Sequence, residues 1–452
     1  MSTQPFRQRA TITLYDDIRQ AALHKATGRF RDARQAALDN LPRSDDLRDQ
    51  LKQIRHATLC NLAEHLETFE RNATAVGAHI HWAATSAEAS QIIIDLAQKR
   101  GVTLVTKSKS MTTEEIHLND ALGRAHITPV ETDLGEWIVQ LAAEAPYHII
   151  APAIHKTKEE VATLFAQHTD HPPTDTDITA LTAVARRTLR QKFLDAGMGI
   201  TGVNVAVADT GSITLVMNEG NGRLVTTAPP IHVAIMGIEK IVPTWDEAAV
   251  WLALLARSAT GQPLSIYTNI ITGPARDDDP DGPEELHIVL LDNGRSSLLN
   301  TPYQEALQCI RCGACLNICP VYRVAGGHAY HSPYSGPIGA VISPLLFGLD
   351  NYHDLPQASS LCGACLDVCP ARIDLPRLLL DLRADTVAQK FTPLPERLAL
   401  QTAAWFFLDH RRLNAATPLG RRLFASQLPP QAKQPTKSFR QQWQDGELDN
   451  LD

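Results

Sequence analysis

The sequence predicts an α/β domain followed by a smaller, helical and cysteine-rich domain. Between residues 78 and 168, four short apolar runs are each followed by a helical pattern, which indicates a mostly parallel sheet. Short strand-like runs between residues 203 and 237 add an antiparallel or mixed part. Seven of the eight cysteines lie between Cys309 and Cys369. Together these observations predict an α/β body with a C-terminal α-helical module.

The order of these patterns divides the chain into four parts. Residues 1–70 show apolar spacing typical of helices, interrupted at Pro42, and Cys60 is expected to be a small core residue there. We predict an N-terminal helical region at 1–70, the α/β domain at 71–292, the helical cysteine domain at 300–385 and a tail at 386–452. The tail begins with a helix around Trp405 and then becomes rich in proline and glutamine, a composition typical of disorder or of partner docking.

Helix-capping pairs follow the four apolar runs of the α/β domain. A polar residue that caps a helix and a glutamate three residues later form a recognisable helix start. The runs HIHW, VTLVT, AHITPV and HIIAP are followed by the pairs Thr85/Glu88, Thr112/Glu115, Asp133/Glu136 and Thr157/Glu160. We therefore expect four consecutive strand–helix units.

The mixed part of the domain contains glycine-rich signals. RLVTT is expected to be a strand, with Asn221-Gly222 as a hairpin turn before it. Gly197 to Gly202 match the dinucleotide-binding pattern G-x-G-x-x-G. However, a helix precedes them and a strand follows, which reverses the order that such a site requires. Gly197 is better interpreted as the end of a helix.

The loops after the predicted strands carry charged side chains. Lys107 and Lys109 follow the second strand, and His155 follows the fourth. Ligands of open α/β sheets bind beyond the carboxyl ends of the strands, and helix N-termini there favour anions. Lys107 and His155 are therefore candidate catalytic residues at a carboxylate or phosphate site. The alternative is that these side chains are only solvated charges and caps.

Composition excludes some classes of function. The formal net charge of −8 argues against nucleic acid as the main partner, because phosphate binding requires a basic face. The N-terminus lacks the apolar core of a secretory signal, and no run approaches the length of a transmembrane helix. We expect a cytoplasmic protein that contacts a membrane only through partners.

The cysteines form two similar runs. The first is Cys309-x2-Cys312-x2-Cys315-x3-Cys319-Pro, and the second is Cys362-x2-Cys365-x3-Cys369-Pro, with CGACLNICP and CGACLDVCP offset by 50 residues. In bis-cluster ferredoxins, three cysteines of a run surround one iron–sulfur cluster and the fourth reaches the other. The pattern thus predicts two [4Fe–4S] clusters. Zinc, which also binds four cysteines, does not explain two interlocked runs that both end in Cys-Pro.

The two predicted clusters differ in their ligands. Cluster 1 receives Cys309, Cys312, Cys315 and Cys369, and cluster 2 receives Cys319, Cys362 and Cys365. The repeat offset places Ser359 where the second run lacks a cysteine. Cluster 2 is therefore a three-iron cluster, a [4Fe–4S] cluster with serine, water or another fourth ligand, or a cluster open to substrate.

The sequence resembles the iron–sulfur lactate utilization protein B family. The resemblance lies in TKSKSMTTEEIHLN, ETDLGEWIVQL, IIAPAIHKTKEEV, GITGVNVAVADTGSI, PPIHVAIMGIEKIVPT and both cysteine runs, and covers nearly the whole chain. It implies a lactate-utilization domain related to the CoA-transferase and ribose-phosphate-isomerase type of fold. It also implies two [4Fe–4S] clusters and a role in oxidising L-lactate to pyruvate beside two partner subunits.

On this resemblance, the expected function is electron transfer within an L-lactate oxidising complex. Lys107 would then bind the substrate carboxylate, and His155 would accept the hydroxyl proton of the 2-hydroxy acid. The alternative function is a regulatory module in which the α/β domain binds a carboxylate and the clusters sense redox state. A third is a self-sufficient dehydrogenase, for which the sequence offers no flavin motif.

Overall fold

The computed structural model describes residues 4–170, 172–409, 411–412 and 443–445. The chain divides into two compact units, Met1–Arg383 and Ala384–Asp452. The first unit contains both the α/β part and the cysteine region. The four boundaries expected from the sequence remain predictions.

Four helices open the chain, as the apolar spacing predicts. The second is capped by Asp16, whose side chain accepts a hydrogen bond from the Arg19 N–H. Their bounds are α1 (Phe6–Leu14), α2 (Asp17–Asp39), α3 (Ser44–Cys60) and α4 (Leu62–Ala75). Cys60 is exposed, so its expected place in the core is wrong. It ends α3 on the solvent side, whereas its neighbour Leu59 is buried.

Ten strands form two sheets in the described residues. They are β1 (His79–Ala83), β2 (Leu104–Lys107), β3 (Thr128–Glu131), β4 (Met198–Gly202), β5 (Val205–Val207), β6 (Ser212–Met217), β7 (Ile231–Gly237), β8 (Ile241–Val242), β9 (Tyr267–Ile271) and β10 (Glu285–Leu291). The larger sheet has the order β1-β10-β7-β4-β2-β3, and every pairing in it is parallel. All of β7 is buried, as expected for a central strand covered on both faces.

The smaller sheet is mixed. Its order is β8-β5-β6-β9, with β6 antiparallel to both of its neighbours and β8 parallel to β5. The α/β class, the parallel sheet and the mixed part are thus confirmed. The helices of this region are α5 (Ser86–Lys99), α6 (Met111–Glu115), α7 (Leu118–Arg124), α8 (Leu134–Leu141), α9 (Lys158–His168), α10 (Ile178–Asp195), α11 (Asn221–Thr227) and α12 (Trp245–Thr260).

Three local predictions in this region are wrong. RLVTT is part of α11 rather than a strand, and Asn221-Gly222 begins that helix instead of forming a hairpin. The reason is packing: Val225 and Thr226 are buried when the helix lies against β4. HIIAP is an irregular segment, so the fourth expected strand is absent there.

Three of the four expected capping pairs are present. Thr85, Asp133 and Thr157 each accept a hydrogen bond from the backbone N–H of the paired glutamate. The fourth pair fails because Ser110 caps α6 two residues earlier. This frees Glu115 for a buried ion pair with Arg295.

The cysteine region is helical, as predicted. Short 3-10 helices at Ser296–Leu298, Gln304–Gln308, His328–Tyr330 and Leu355–Gln357 connect α13 (Ala314–Ile318), α14 (Tyr322–Ala325), α15 (Gly336–Phe347), α16 (Leu349–Tyr352), α17 (Ala364–Val368) and α18 (Leu375–Ala388). Within the second unit, α19 (Leu394–Phe407) is the helix expected around Trp405. The proline- and glutamine-rich tail lies outside the described residues. Among the helices that the structure describes, none has the length and apolar character of a membrane span.

Candidate functional site

The two cysteine runs fold into equivalent loops. In each, a glycine with positive φ precedes a helix of five residues: Gly313 has φ 76° before α13, and Gly363 has φ 85° before α17. Glycine suits this left-handed conformation because it has no Cβ. The literal sequence repeat is therefore also a structural repeat.

The structure brings four cysteines together around one cavity. Cys309, Cys312 and Cys315 come from the first run, and Cys369 crosses over from the end of the second. Ile310, Ile338 and Ile373 give this cavity apolar walls. This is the set of residues predicted for cluster 1.

The remaining three cysteines form a second group. The pKa of Cys365 is raised to about 12 by burial and by its neighbours Cys319 and Cys362. Cys319 and Cys365 are buried, whereas Cys362 is exposed to solvent. This is the set predicted for cluster 2, and it is more open to water than the first group.

Ser359 lies in the backbone position that corresponds to Cys309. The Cys309 Sγ accepts a hydrogen bond from the Arg311 N–H at 3.4 Å, and the Ser359 Oγ accepts one from the Leu361 N–H at 3.1 Å. Arg311 and Leu361 also share a left-handed conformation, with φ values of 60° and 55°. The repeat offset of 50 residues thus holds at the atomic level, while the role of Ser359 as a ligand stays a prediction.

The donor set of the first group fits an iron–sulfur cluster. Burial raises the pKa of Cys312 to about 12 and that of Cys369 to about 11, and the nearby Cys309 contributes in both cases. Clustered thiols of this kind cannot all ionise unless a cation compensates their charge, and metal binding to such a site releases protons. Backbone N–H groups also point at the sulfurs, as Ile373 does at Cys369 with 3.4 Å. Hydrogen bonds to sulfur are a common feature of cluster sites.

Helices from the start of the chain hold the second run in place. The Arg34 guanidinium in α2 donates to the Val368 carbonyl at 2.7 Å, and Arg48 in α3 donates to the Cys369 carbonyl at 3.0 Å. Both arginines are buried. They therefore bring positive charge close to the first cysteine group.

A larger cavity lies at the carboxyl edge of the parallel sheet. Its volume is about 310 Å³, and residues after β2 and β4 line it together with residues of the cysteine region. Arg311, between Cys309 and Cys312, is part of its wall, as is Tyr334. The cavity thus adjoins the first cysteine group.

Three cationic side chains line this cavity: Lys109, Lys240 and Arg311. The Lys109 Nζ and all three guanidinium nitrogens of Arg311 are buried and have no hydrogen-bond partner among the described residues. Burial and the nearby Arg311 lower the pKa of Lys240 to about 7, although Glu239 opposes the shift. The sequence pointed to Lys109 as part of a loop set, but gave no sign of Lys240 or Arg311.

A buried ion network lies beside the cavity. The Arg295 guanidinium donates to Glu239 at 2.6 Å and to both carboxylate oxygens of Glu115, and the Tyr334 hydroxyl donates to Glu115 at 2.6 Å. Burial alone would raise the pKa of Glu239, but Arg295 and Arg311 lower it to about 2. The network joins α6, the end of β7 and the cysteine region.

Lys107 does not line the cavity. It is completely buried, and its Nζ lies 2.5 Å from Glu131 and 2.7 Å from Asn119. Burial would lower the pKa of Lys107, but Glu131 raises it above the usual value. Its ammonium group is therefore fully engaged within the domain.

His155 lies in a different place from Lys107. Its Nε2 is 2.7 Å from Glu144, and its ring stacks on Tyr147 with centroids 4.4 Å apart. Ligand-type atoms of Glu144, His155 and His328 lie within 4.8 Å of one another. The structure therefore does not bring Lys107 and His155 into one cavity, because HIIAP forms no strand that ends beside β2. A catalytic role for either residue stays a prediction.

Comparisons with known proteins cover both parts of the chain. A family model described as LUD domain matches residues 66–291, and one described as 4Fe-4S dicluster domain matches residues 305–373. Lactate utilization protein B of Bacillus subtilis is 46% identical over 89% of this chain and 84% of its own length. That of Macrococcus caseolyticus is 43% identical over the same shares. A solved structure, a duf162 family protein from Deinococcus radiodurans, is 14% identical over 51% of this chain and 98% of that chain. Its TM-score of 0.29 is too low to bear on the fold.

The dicluster match confirms that the cysteine region is an iron–sulfur domain. The number of clusters and the ligands of each remain predictions.

Proposed function

The chain belongs to the lactate utilization protein B family, and on that premise we propose that it is the iron–sulfur electron-transfer component of an L-lactate oxidation complex, which converts lactate to pyruvate and supports growth on lactate. Its partners would be two other lactate-utilization subunits. The observation that carries the proposal is the division of seven cysteines into two neighbouring groups, one of which adjoins a cavity through Arg311.

Each cysteine group would hold one [4Fe–4S] cluster, and such clusters accept and release single electrons. Cys309, Cys312, Cys315 and Cys369 would hold the first. Cys319, Cys362 and Cys365 would hold the second, with Ser359 or water at its remaining corner, or a three-iron cluster in its place.

Positively charged side chains near the first group suit this task. The guanidinium groups of Arg34 and Arg311 interact electrostatically with Cys312 and Cys309. Because an added electron makes a site more negative, nearby buried cations favour the reduced state. These arginines would therefore raise the reduction potential of the first site.

We also propose a cytoplasmic location, with membrane contact only through partners. A reducing compartment keeps cysteine thiols from forming disulfides, and seven buried or clustered thiols would need that protection before iron is bound.

A regulatory module is the alternative function. The cavity favours it, because the nitrogens of Lys109 and Arg311 there have no hydrogen-bond partner in the described residues and can bind a carboxylate without any reaction. In that case the cysteine groups would report redox state, and turnover of lactate by the complex would not need them.

The two functions differ in what the second cysteine group does during turnover. We expect Cys365→Ser to abolish lactate-dependent electron transfer in the complex assembled with both partner subunits, as measured by reduction of an artificial acceptor. Cys60→Ser is the matched control, since Cys60 is exposed and outside both groups. Full turnover by the Cys365 variant, with its loss of iron confirmed, would favour the regulatory function.

A second prediction concerns the coordination position of the second cluster that lies nearest Ser359. We expect about eight irons per chain after anaerobic purification, or about seven if the second site holds a three-iron cluster. We also expect a three-iron EPR signal after mild exposure to air, because three thiolates retain a fourth iron weakly. Ser359→Cys should suppress that signal by supplying the missing thiolate. Ser360→Cys, which adds a thiol one residue away, should not. An unchanged signal in the Ser359 variant would show that the open corner lies elsewhere.

A further inference from the structure

The guanidinium group of Arg311 is buried beside the first cysteine group. The residue is only 8% exposed, and its nitrogens find no oxygen or nitrogen acceptor among the residues that the structure describes. Its strongest electrostatic partner is the Cys309 sulfur. The nearest carboxylate oxygen, in Glu239, is 3.6 Å from Nη2, which is too long for a hydrogen bond. A buried donor without an acceptor is costly, and more so when it is charged. Arg311 also lines the cavity of the first cysteine group, but one sulfur cannot satisfy the five N–H donors of a guanidinium. The larger cavity that Arg311 lines is therefore expected to receive an acceptor.

The orientation of the group is fixed by its surroundings. The guanidinium lies over the ring of Tyr334, with its central carbon 4.7 Å from the ring centroid. Glu239 is held from its other side by Arg295 at 2.6 Å. The planar group is thus positioned before any ligand arrives, and a planar fork of donors matches a carboxylate better than it matches a spherical ion.

Lys109 is a second cation at the cavity without a hydrogen-bond partner in the described residues. Glu136 interacts with it electrostatically but accepts no hydrogen bond from it. Two buried cationic groups with free donors at one cavity favour an anionic acceptor as its occupant.

The outer part of the cavity restricts the anion. Asp133 and Glu219 line it, so a ligand with several negative charges would be repelled on entry. The volume of about 310 Å³ is at the small end of ligand pockets. Ser110 and Asn204 in the same wall can form hydrogen bonds to a neutral oxygen of the ligand.

From these contacts we propose that this chain itself binds a small 2-hydroxy or 2-oxo monocarboxylate in the cavity, with the ligand carboxylate on Arg311 and Lys109. The anion site follows from the cavity, whereas the choice of 2-hydroxy and 2-oxo acids rests on the proposed function. Because the backbone N–H of Arg311 donates a hydrogen bond to the Cys309 Sγ, a ligand on the Arg311 side chain would lie beside the first cysteine group.

The test is calorimetric titration of the anaerobically purified protein, with its iron and sulfide content checked, using L-lactate, pyruvate and inorganic phosphate. We expect both acids to bind. Arg311→Gln and Lys109→Gln should each weaken binding about tenfold or more, because each removes a charge-assisted hydrogen bond. Lys158→Gln makes the same change of charge at an exposed position outside the cavity and should bind as the wild type does.

Two variants are needed because Arg311 contacts a cysteine of the first group, and its replacement can cost iron. Lys109 lies far from the cysteines in the chain, so that variant tests the cavity alone. Equal binding by wild type and the Lys109 variant would overturn the proposal, as would tighter binding of phosphate than of pyruvate.

The same preparations separate this inference from the proposed function. If the wild-type complex transfers electrons from lactate while this chain binds neither acid, the ligand site is wrong and the electron-transfer function stands. If the chain binds both acids as expected but the Cys365 variant keeps full turnover, the ligand site stands and the electron-transfer function is wrong.

Discussion

His232 shows how a single buried side chain links stability to pH. It lies within β7, its ring is completely buried, and its Nε2 is 2.8 Å from the Thr201 hydroxyl. Its Nδ1 has no hydrogen-bond partner in the described part of the chain. Burial and the nearby His287 lower the pKa of His232 to about 3. The folded protein therefore keeps this ring neutral at neutral pH and in mild acid.

The consequence is a loss of stability in mild acid. Below the usual histidine pKa of about 6.5, His232 is protonated in the unfolded chain but stays neutral in the folded protein. The free energy of unfolding therefore decreases as the pH is lowered from about 6.5 to about 3. Between pH 7.5 and pH 5, His232 should cost about 2 kcal/mol of unfolding free energy. We expect the free energy of unfolding of His232→Gln to decrease by about 2 kcal/mol less than that of the wild type between these two pH values, as measured by chemical unfolding.

Thr201→Val is the matched control for this prediction. It removes the hydroxyl partner and lowers stability at both pH values, but it keeps the titrating ring and should retain the pH dependence. An equal loss between pH 7.5 and pH 5 in wild type and the His232 variant would contradict the assignment.

At the scale of elements, the contact of α11 with β4 decides the conformation of residues 221–227. Gly199 lies in β4, and a Cβ built on it would overlap the Val225 carbonyl oxygen. The close approach buries Val225 and places Asn221 and Gly222 at the large cavity. A glycine in the middle of a strand is thus required by the helix above it.

The contact can be tested with matched glycine variants. Gly199→Ala should lower the free energy of unfolding by about 3 kcal/mol, because neither backbone can move aside easily. Gly123→Ala adds the same methyl group in α7, where nothing lies within 4 Å, and should stabilise the protein by about 0.5–1 kcal/mol. Denaturant midpoints measure both. A Gly199 variant as stable as the wild type would mean that α11 does not lie this close to β4.

At the scale of the first unit, Arg55 connects three regions of the chain. Its guanidinium, completely buried in α3, donates to the carbonyls of Glu239, Ile241 and Leu307 at 2.6, 3.0 and 2.9 Å. It also lies 4.5 Å from the ring centroid of Trp251 in α12. One side chain thus joins the N-terminal helices, the α/β part and the segment that leads into the cysteine region.

We expect these regions to unfold together. Arg55→Gln should destabilise the protein by at least about 3 kcal/mol, because three charge-assisted hydrogen bonds to buried carbonyls are lost. Thermal unfolding followed by circular dichroism and by bleaching of iron–sulfur absorbance should shift to the same lower temperature. Arg31→Gln, at an exposed ion pair, should leave both transitions in place. Transitions that separate in the Arg55 variant would contradict a single cooperative unit.

The sequence by itself determined the features that depend on local spacing. A strand–helix alternation with capping residues indicates a parallel sheet. The pattern is visible in the sequence because each strand–helix unit spans only about thirty consecutive residues. The cysteine runs predict cluster sites for the same reason, since three ligands of a cluster come from one short loop. The equivalence of Ser359 and Cys309 followed from the repeat offset alone and reappears in their hydrogen bonds.

Only the tertiary structure decided which charges are free. Lys107 and Lys109 look alike in the sequence, but Lys107 lies in register with Glu131 on the neighbouring strand and is neutralised by it. Lys109, two residues later, makes no hydrogen bond in the described residues, and Glu136 interacts with it only electrostatically. Arg311 lines the same cavity as Lys109, although the two residues are far apart in the chain. Burial and pairing depend on strand register and on long-range packing, and no local pattern encodes which side chain will meet an opposite charge.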